Sequence, residues 1–392
     1  MKNIIFIVFS IIVLNTALFS QSSIDKILLE IEKNNTMLSA FQKNVEAQKI
    51  GNKTAIYLQN PEVEFNYLWG NSSVIGNRTD LNITQTFDFP TAYKYKNQIS
   101  DLKNEQVELE YQKQRKSLLL QARMICIDLV YMNALKSELS QRLINAQTIA
   151  ASFKTKYDLG ETNILEYNKA QLNFLSTSKE MESVEIQRIA LLSELASLNG
   201  GITIEFNNTD FQAITITSDF DQWYIQVEQN NPVLTWLKQE IEIRQNQESL
   251  DFAMSLPKIQ AGYMSEEIVG QKFQGISIGL SIPLWENKNK VKYAKANTIA
   301  MESIASDNKL QFYNQLKTLH AKSIGLQKNV NDYRTQLLSF DNSALLQKAL
   351  DQGEISLINY ILELSIYYDS VNNLLELERE MNKTLAELNQ YL

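Results

Sequence analysis

The stretch that decides the fold runs from Asn60 to Pro90, NPEVEFNYLWGNSSVIGNRTDLNITQTFDFP, and returns from Leu256 to Pro283 as LPKIQAGYMSEEIVGQKFQGISIGLSIP. Each copy is an alternating segment, a polar turn and a second alternating segment. In the first, Val63, Phe65, Tyr67 and Trp69 alternate with Glu62, Glu64, Asn66 and Leu68. Leu81, Ile83, Phe87 and Phe89 then share a face, with Gln85 as the polar exception; Asp80, Asn82, Thr84, Thr86 and Asp88 share the other. In the second copy Ile259, Ala261 and Tyr263 oppose Lys258, Gln260 and Gly262, while Ile276, Ile278, Leu280 and Ile282 oppose Ser277, Gly279 and Ser281. A period of two with one apolar and one polar face predicts β-hairpins over 62–89 and 258–282. Pro61, Pro90, Pro257 and Pro283, four of the five prolines, bracket them; proline suits a handover between strand and helix. The pattern fits a membrane-barrel strand of roughly 9–11 residues, with lipid on one face and water on the other. It also fits an antiparallel hairpin packed on a soluble core.

Outward from the hairpins the chain is helical. Only 12 Gly and 5 Pro in 392 residues point to long uninterrupted helices. Ile24 to about Leu58 has a helical pattern. Thr91 to Leu159 holds neither Pro nor Gly, a helix on the order of 100 Å long at 1.5 Å per residue. Leu118, Ala122, Ile125, Leu129, Met132, Leu139, Leu143 and Ala146 follow a 3–4 spacing broken by Lys136, a coiled-coil seam. Gly160 ends that helix, and another runs from Thr162 to Asn199 before Gly200-Gly201.

The order then repeats. Asn34-Asn35-Thr36 aligns with Asn230-Asn231-Pro232 at an offset of 196 that holds to Pro61 and Pro257. Pro90 aligns with Pro283. Tyr157-Asp-Leu-Gly160-Glu161 and Tyr167 align with Leu350-Asp-Gln-Gly353-Glu354 and Tyr360 at offset 193. Helix, hairpin, long helix, turn and helix are duplicated. The expected layout is a signal over 1–20, a first repeat over 21–201, a linker or equatorial segment over 202–220 with small extra elements, and a second repeat over 221–392.

Composition narrows the function. Net charge is −8 with a pI near 5.1, and no basic stripe interleaves with aromatics, so no nucleic-acid partner is expected. Lys2 followed by the apolar run Ile4 to Leu14 reads as a secretory signal ending near Ser20, too short to span a bilayer. No Cys near this end offers a site for lipid attachment. Cys126, the single cysteine, lies in an apolar helical stretch and reads as buried and inert. No later run reaches about 18 apolar residues, so any meeting with a membrane is expected through strands. The single histidine, His320, reads as a solvated helix position, so a His and Cys metal site is unavailable. No cofactor motif and no catalytic constellation emerges.

Four strands cannot close a barrel, because known spanning barrels start at about 8 and an open edge in lipid strands backbone polar groups. Membrane strands in this chain therefore require several copies: two give eight strands, three give twelve and room for a pore.

With the duplicated order, Phe87-Asp-Phe-Pro90, Leu280-Ser-Ile-Pro-Leu-Trp285 and the turn Tyr157-Asp-Leu-Gly-Glu-Thr-Asn-Ile-Leu165 with its copy, the chain resembles the TolC or outer-membrane efflux protein family. The resemblance implies a non-enzymatic homotrimer in the outer membrane of a Gram-negative bacterium. A twelve-stranded barrel would continue as a long α-helical tunnel into the periplasm. The duct would serve an inner-membrane transporter through a periplasmic adaptor, in efflux or type I secretion. It puts the adaptor at tips here carrying Asp158, Gly160, Glu161, Asp351, Gly353 and Glu354. It puts an entrance constriction at Glu166 and Asn359, with Glu363 the nearest carboxylate beyond; Asn359 departs from the family's acidic pattern. Glu62, Glu64, Asp80, Asp88 and Lys258 would line the barrel, and Phe65, Tyr67, Phe87, Ile276, Ile278 and Leu280 would meet outer-membrane lipid. The alternative is a secreted structural coiled-coil protein whose hairpins pack on the rods.

Overall fold

The computed structural model describes residues 23–72, 74–211 and 216–392. The expected signal over 1–20 lies outside the described residues. The first half is α1 (Ser23–Asn34), α2 (Thr36–Asn52), β1 (Glu62–Leu68), β2 (Arg78–Phe87), α3 (Pro90–Asp158) and α4 (Ile164–Leu198). The second is α5 (Phe220–Asn230), α6 (Pro232–Ala253), β3 (Lys258–Ile268), β4 (Gln271–Ser281), α7 (Lys290–Ser339), α8 (Ser343–Asp351) and α9 (Leu357–Leu388).

The helix expected over 24–58 is two helices. Asn35 breaks it because its Oδ1 accepts the Leu38 amide at 2.9 Å, a side-chain cap that starts a new helix. Asn231 does the same between α5 and α6, accepting from Val233 and Leu234. α3 is continuous over 69 residues, with Pro90 in its first turn. Its copy is not. Asp341 accepts both the Ser343 amide at 3.0 Å and the Ser343 hydroxyl at 2.7 Å, which stops α7 and starts α8. At the matching place in α3, Thr148 bonds back to the Ile144 carbonyl and the helix runs on. The two halves also differ after the sheet: between Pro283 and α7 the chain makes a loop through Asn289, which is left-handed at φ 68°.

The helices form a wall whose order follows from their neighbours. α3 packs between α2 and α4 on one side and α6 and α9 on the other, and α7 packs on α6 and α9. Leu118, Ala122, Ile125 and Leu129 bury against α1, Leu195 and Phe206; Met132, Leu135 and Leu139 bury against Val184. Lys136, the break in the seam, reaches sideways to Glu185 at 2.7 Å. α3 contains a window long and apolar enough to cross a bilayer, contrary to the sequence expectation, but 61% of that window is buried in this packing.

The described parts of 202–219 form no helix or strand. Asn133 holds this segment by donating to the carbonyls of Phe206 (3.2 Å) and Asn208 (3.0 Å). His320 corrects the sequence reading of a solvated position. It is 7% exposed, packs near Phe220 and Trp223, and its Nε2 lies 2.7 Å from the Thr217 carbonyl.

Candidate functional site

The four strands make one antiparallel sheet in the order β1-β2-β3-β4. Register decides what the sheet can do. Phe65 pairs with Leu81, Val63 with Ile83, Ile83 with Tyr263, Phe87 with Ile259, Tyr263 with Ile276, Ala261 with Ile278 and Ile259 with Leu280. Directly paired residues share a face, so both hairpins turn their apolar residues to the same side. That side is not covered: Phe65 is 66% exposed, Ile276 82% and Ile278 77%. Tyr67 and Leu280 are exposed and Phe87 is half-buried.

The opposite side is polar over most of its height. Glu62 pairs with Thr84, Glu64 with Asn82, Asp80 with Glu266, Thr86 with Gln260 and Lys258 with Ser281. Arg78 reaches both Asp80 (2.8 Å) and Glu266 (3.2 Å) there. Asp88 differs from its expected place on this face. It lies past the end of β2, is 4% exposed and pairs with Lys96 of α3 at 2.8 Å, because the strand has already turned into the helix. Among the described residues β1 pairs only with β2 and β4 only with β3, so both outer edges of the sheet lack a partner.

At the far end of the helices the two turns are built alike. Gly160 and Gly353 have φ 76° and 73°. Glu161 donates to the Lys156 carbonyl at 2.7 Å, and Glu354 to the Ala349 carbonyl at 2.9 Å, the six-to-one bond that closes a helix over a left-handed residue. Asn163 then caps α4 and Ser356 caps α9, at equivalent positions. Asp158, Gly160, Glu161, Asp351, Gly353 and Glu354 are all exposed. Tyr157 stacks on Tyr167 across the first turn, centroids 5.4 Å apart.

Glu166 is half-buried and bonded to Lys169 at 2.9 Å, whereas Asn359 and Glu363 are exposed. Sequence reasoning missed Arg142. This α3 residue is 6% exposed, donates to Asn372 (2.9 Å) and sits 4.3 Å from the Tyr368 ring centroid. Burial pushes its pKa down from the usual guanidinium range. With Asn145, which donates to the Tyr360 hydroxyl at 2.9 Å, it ties α3 to α9. A cation on an otherwise apolar helix stretch was the signal available. Cys126 is buried, and desolvation pushes its thiol up to about 12.

Among the described residues the wall leaves two flanks free, as the sheet does. α2 and α4 lie at one side of the helical layer and α7 at the other. α4 exposes Leu165, Leu172, Leu175, Ile186 and Ile189; α7 exposes Leu310, Ile324 and Leu338. Among the described residues no group of three or more His, Cys, Asp or Glu could hold a metal ion.

No protein-family model matches the chain, and no curated protein matches it. Solved structures do. The Campylobacter jejuni CmeC outer membrane channel superposes with a TM-score of 0.74 at 14% identity, over 94% of this chain and 85% of that one. The outer membrane protein VceC from Vibrio cholerae gives 0.71 at 13% identity, over 94% of each chain. A membrane protein from Pseudomonas aeruginosa gives 0.78 at 12% identity, over 94% and 92%. Such identities speak to fold, and over nearly its whole described length this chain has the fold of TolC-type outer-membrane channels.

Proposed function

We propose that three copies of this chain close a twelve-stranded barrel in the outer membrane of a Gram-negative cell and continue it as a helical tunnel through the periplasm. The homotrimer is a passive exit duct in efflux or type I secretion, not an enzyme. An inner-membrane transporter loads it through a periplasmic adaptor that docks on Asp158, Gly160, Glu161, Asp351, Gly353 and Glu354. Glu62, Glu64, Asp80 and Lys258 face its water-filled lumen; Phe65, Tyr67, Phe87, Ile276, Ile278 and Leu280 face lipid. Glu166, Asn359 and Glu363 stand near its entrance, where a ring of carboxylates would favour cations.

The observation that carries this reading is the shared apolar face of an open-edged sheet. A four-stranded sheet in lipid would leave two rows of backbone groups unpaired at several kcal/mol each. Joining β4 of one copy to β1 of the next satisfies both edges. The repeating head-to-tail contact closes a ring. A secreted structural coiled coil would instead leave Ile276, Ile278 and Leu280 in water.

Purification tests it. The protein is expected to need detergent for extraction, to have the mass of three chains, and to conduct ions in a planar bilayer. A monomer soluble without detergent overturns it.

A further inference from the structure

The two handovers from sheet to long helix differ. β2 ends at Phe87 and α3 begins at Pro90, whereas β4 ends at Ser281 and α7 begins only at Lys290. The extra length is folded rather than slack. Leu284 donates its amide to the Ile282 carbonyl at 3.0 Å and Lys288 donates to Trp285 at 3.2 Å. Asn287 donates its side-chain amide to the Met254 carbonyl at 2.7 Å, which pins the loop to the end of α6.

What the loop presents is apolar first and cationic after. Ile282, Leu284 and Trp285 are exposed, Trp285 at 81%. Lys288, Lys290, Lys292 and Lys295 follow, all exposed and none ion-paired among the described residues. Glu286 is the one acidic residue between Ser281 and Met301, in a chain whose net charge is −8.

Height and side both point to a membrane surface. From Lys272, paired with Glu267, to Leu280, paired with Ile259, β4 takes eight steps. At about 3.4 Å each that is roughly 27 Å along the strand, comparable with the ~25 Å apolar band of a membrane barrel. The loop thus leaves the sheet at headgroup depth on the helix side, a depth that tryptophan favours. Lys292 lies three and four heptads before Tyr313 and His320, and Lys295 two and three before Lys309 and Leu316, with exposed Ile299 and Glu302 between. Those four residues carry α5: Lys309 pairs with Glu228 at 2.6 Å, Tyr313 donates to Asp221 at 3.3 Å, and Leu316 and His320 pack with Trp223. A helix on the inner side would fill the tunnel of the duct, so this stripe looks outward. Tyr293, also exposed, lies off the stripe.

We propose that residues 282–295 hold the headgroup of an anionic phospholipid in the periplasmic leaflet. Leu284 and Trp285 lie against the start of its acyl chains, and Lys288, Lys290, Lys292 and Lys295 surround its phosphate. The inference rests on the duct reading and goes beyond it, because a barrel needs a bilayer but not a particular lipid class. The occupant is lipid because the patch begins where the lipid-facing strand ends and its charge complements an anionic headgroup.

The test uses Trp69→Phe protein, in which Trp285 is the exposed indole; Trp223 is buried and Trp236 half-buried. The trimer is reconstituted in phosphatidylcholine vesicles holding a minority of phosphatidylglycerol, with bromine on the acyl chains of one lipid or the other to quench a neighbouring indole. Trp285→Phe in the same protein supplies the background. Brominated phosphatidylglycerol is expected to quench Trp285 at least threefold more per mole than brominated phosphatidylcholine. Exchanging the four lysines for glutamine is expected to abolish that excess while trimer and conductance remain; an excess that survives overturns the site. Should that variant fail to assemble, the Trp69→Phe protein in 1 M salt, where the Debye length is about 3 Å, must lose most of the excess or the site falls. Inorganic phosphate replacing chloride at equal ionic strength should leave the excess unchanged; its loss would assign the lysines to a free anion and overturn the lipid. A conducting trimer quenched equally by both lipids overturns the site and leaves the duct standing. A chain that neither enters vesicles nor conducts overturns both.

Discussion

Asn35 and Asn231 do the same work 196 residues apart. Each has an extended backbone, φ −67° and −81°, and each side-chain oxygen caps the first turn of the following helix, Asn35 accepting from Leu38 and Asn231 from Val233 and Leu234. Asn35 also donates to the Leu198 carbonyl at 2.8 Å, which ties the α1–α2 junction to the end of α4. Asn231→Ala should cost about 1 kcal/mol, the usual worth of such a cap. Asn35→Ala should cost more, because a second bond is lost with the first. Thermal melts of the two variants in detergent check the order; equal melting points would show that the Leu198 bond contributes nothing.

The tip glycines need their left-handed backbone. A Cβ at Gly160 or Gly353 meets nothing within 4 Å, so the cost of substitution there is conformational rather than steric. Proline fixes φ near −65° and removes the amide that Gly160 donates to Tyr157 and Gly353 donates to Leu350. Gly160→Pro or Gly353→Pro is expected to abolish export while leaving trimer yield near normal. Normal export by both variants would separate the tips from coupling.

Lys136 bonds to Glu185 and holds its carboxyl below the usual carboxylate range, with Arg188 adding to the effect. A carboxyl whose folded value is depressed stabilises the fold above its unfolded value, and that contribution is lost as pH falls through the folded value. Glu185→Gln should therefore melt earlier than the parent at pH 7. The gap should narrow as pH falls below about 4.5, the ordinary glutamate value, and close once pH has passed below the lowered folded value. A gap that stays constant across this range would show that the loss is one of packing, not charge.

Ile278 is 77% exposed on the apolar side of the sheet, next to Ala261. Ile278→Arg should impair membrane assembly, at roughly 2–4 kcal/mol for a charge at mid-membrane depth. Ser277→Arg, one residue over on the polar face, should assemble normally. Equal trimer yields from the two variants would contradict the facing assigned here.

Cys126 is buried, with its thiol pushed up to about 12. The thiolate is the reactive form, so a maleimide at pH 7.5 should label the native protein slowly and the denatured protein to one thiol per chain. Rapid native labelling would mean that the α1–α3 core opens.

Much of this architecture was legible in the sequence because its makers leave local marks. Period-two alternation wrote the strands, and the single glycines at 160 and 353 wrote the turns. What escaped depends on neighbours brought from elsewhere. Asp88 continues the alternation of β2, yet the chain turns into α3 there and Lys96 captures the carboxylate. His320 reads as solvated from its polarity, yet it shares the face of buried Leu316 and Ser323, and Thr217 and Phe220 fold over it. The Asp341 break carries no Pro or Gly, only an Asp two residues before a Ser, a pair common inside helices. Arg142 had no mark beyond its charge, because its partners on α9 lie more than 220 residues away.

The middle of the sheet joins β2 to β3, and Phe87 meets Ile259 only after 172 intervening steps along the chain. Closing so long a loop is slow, and a lone two-stranded ribbon is marginal in water. A newly made chain must therefore hold its two hairpins apart until its second half is complete. Local helices form before the long-range pairing of the sheet, and the interval between them is when the chain is most exposed to aggregation.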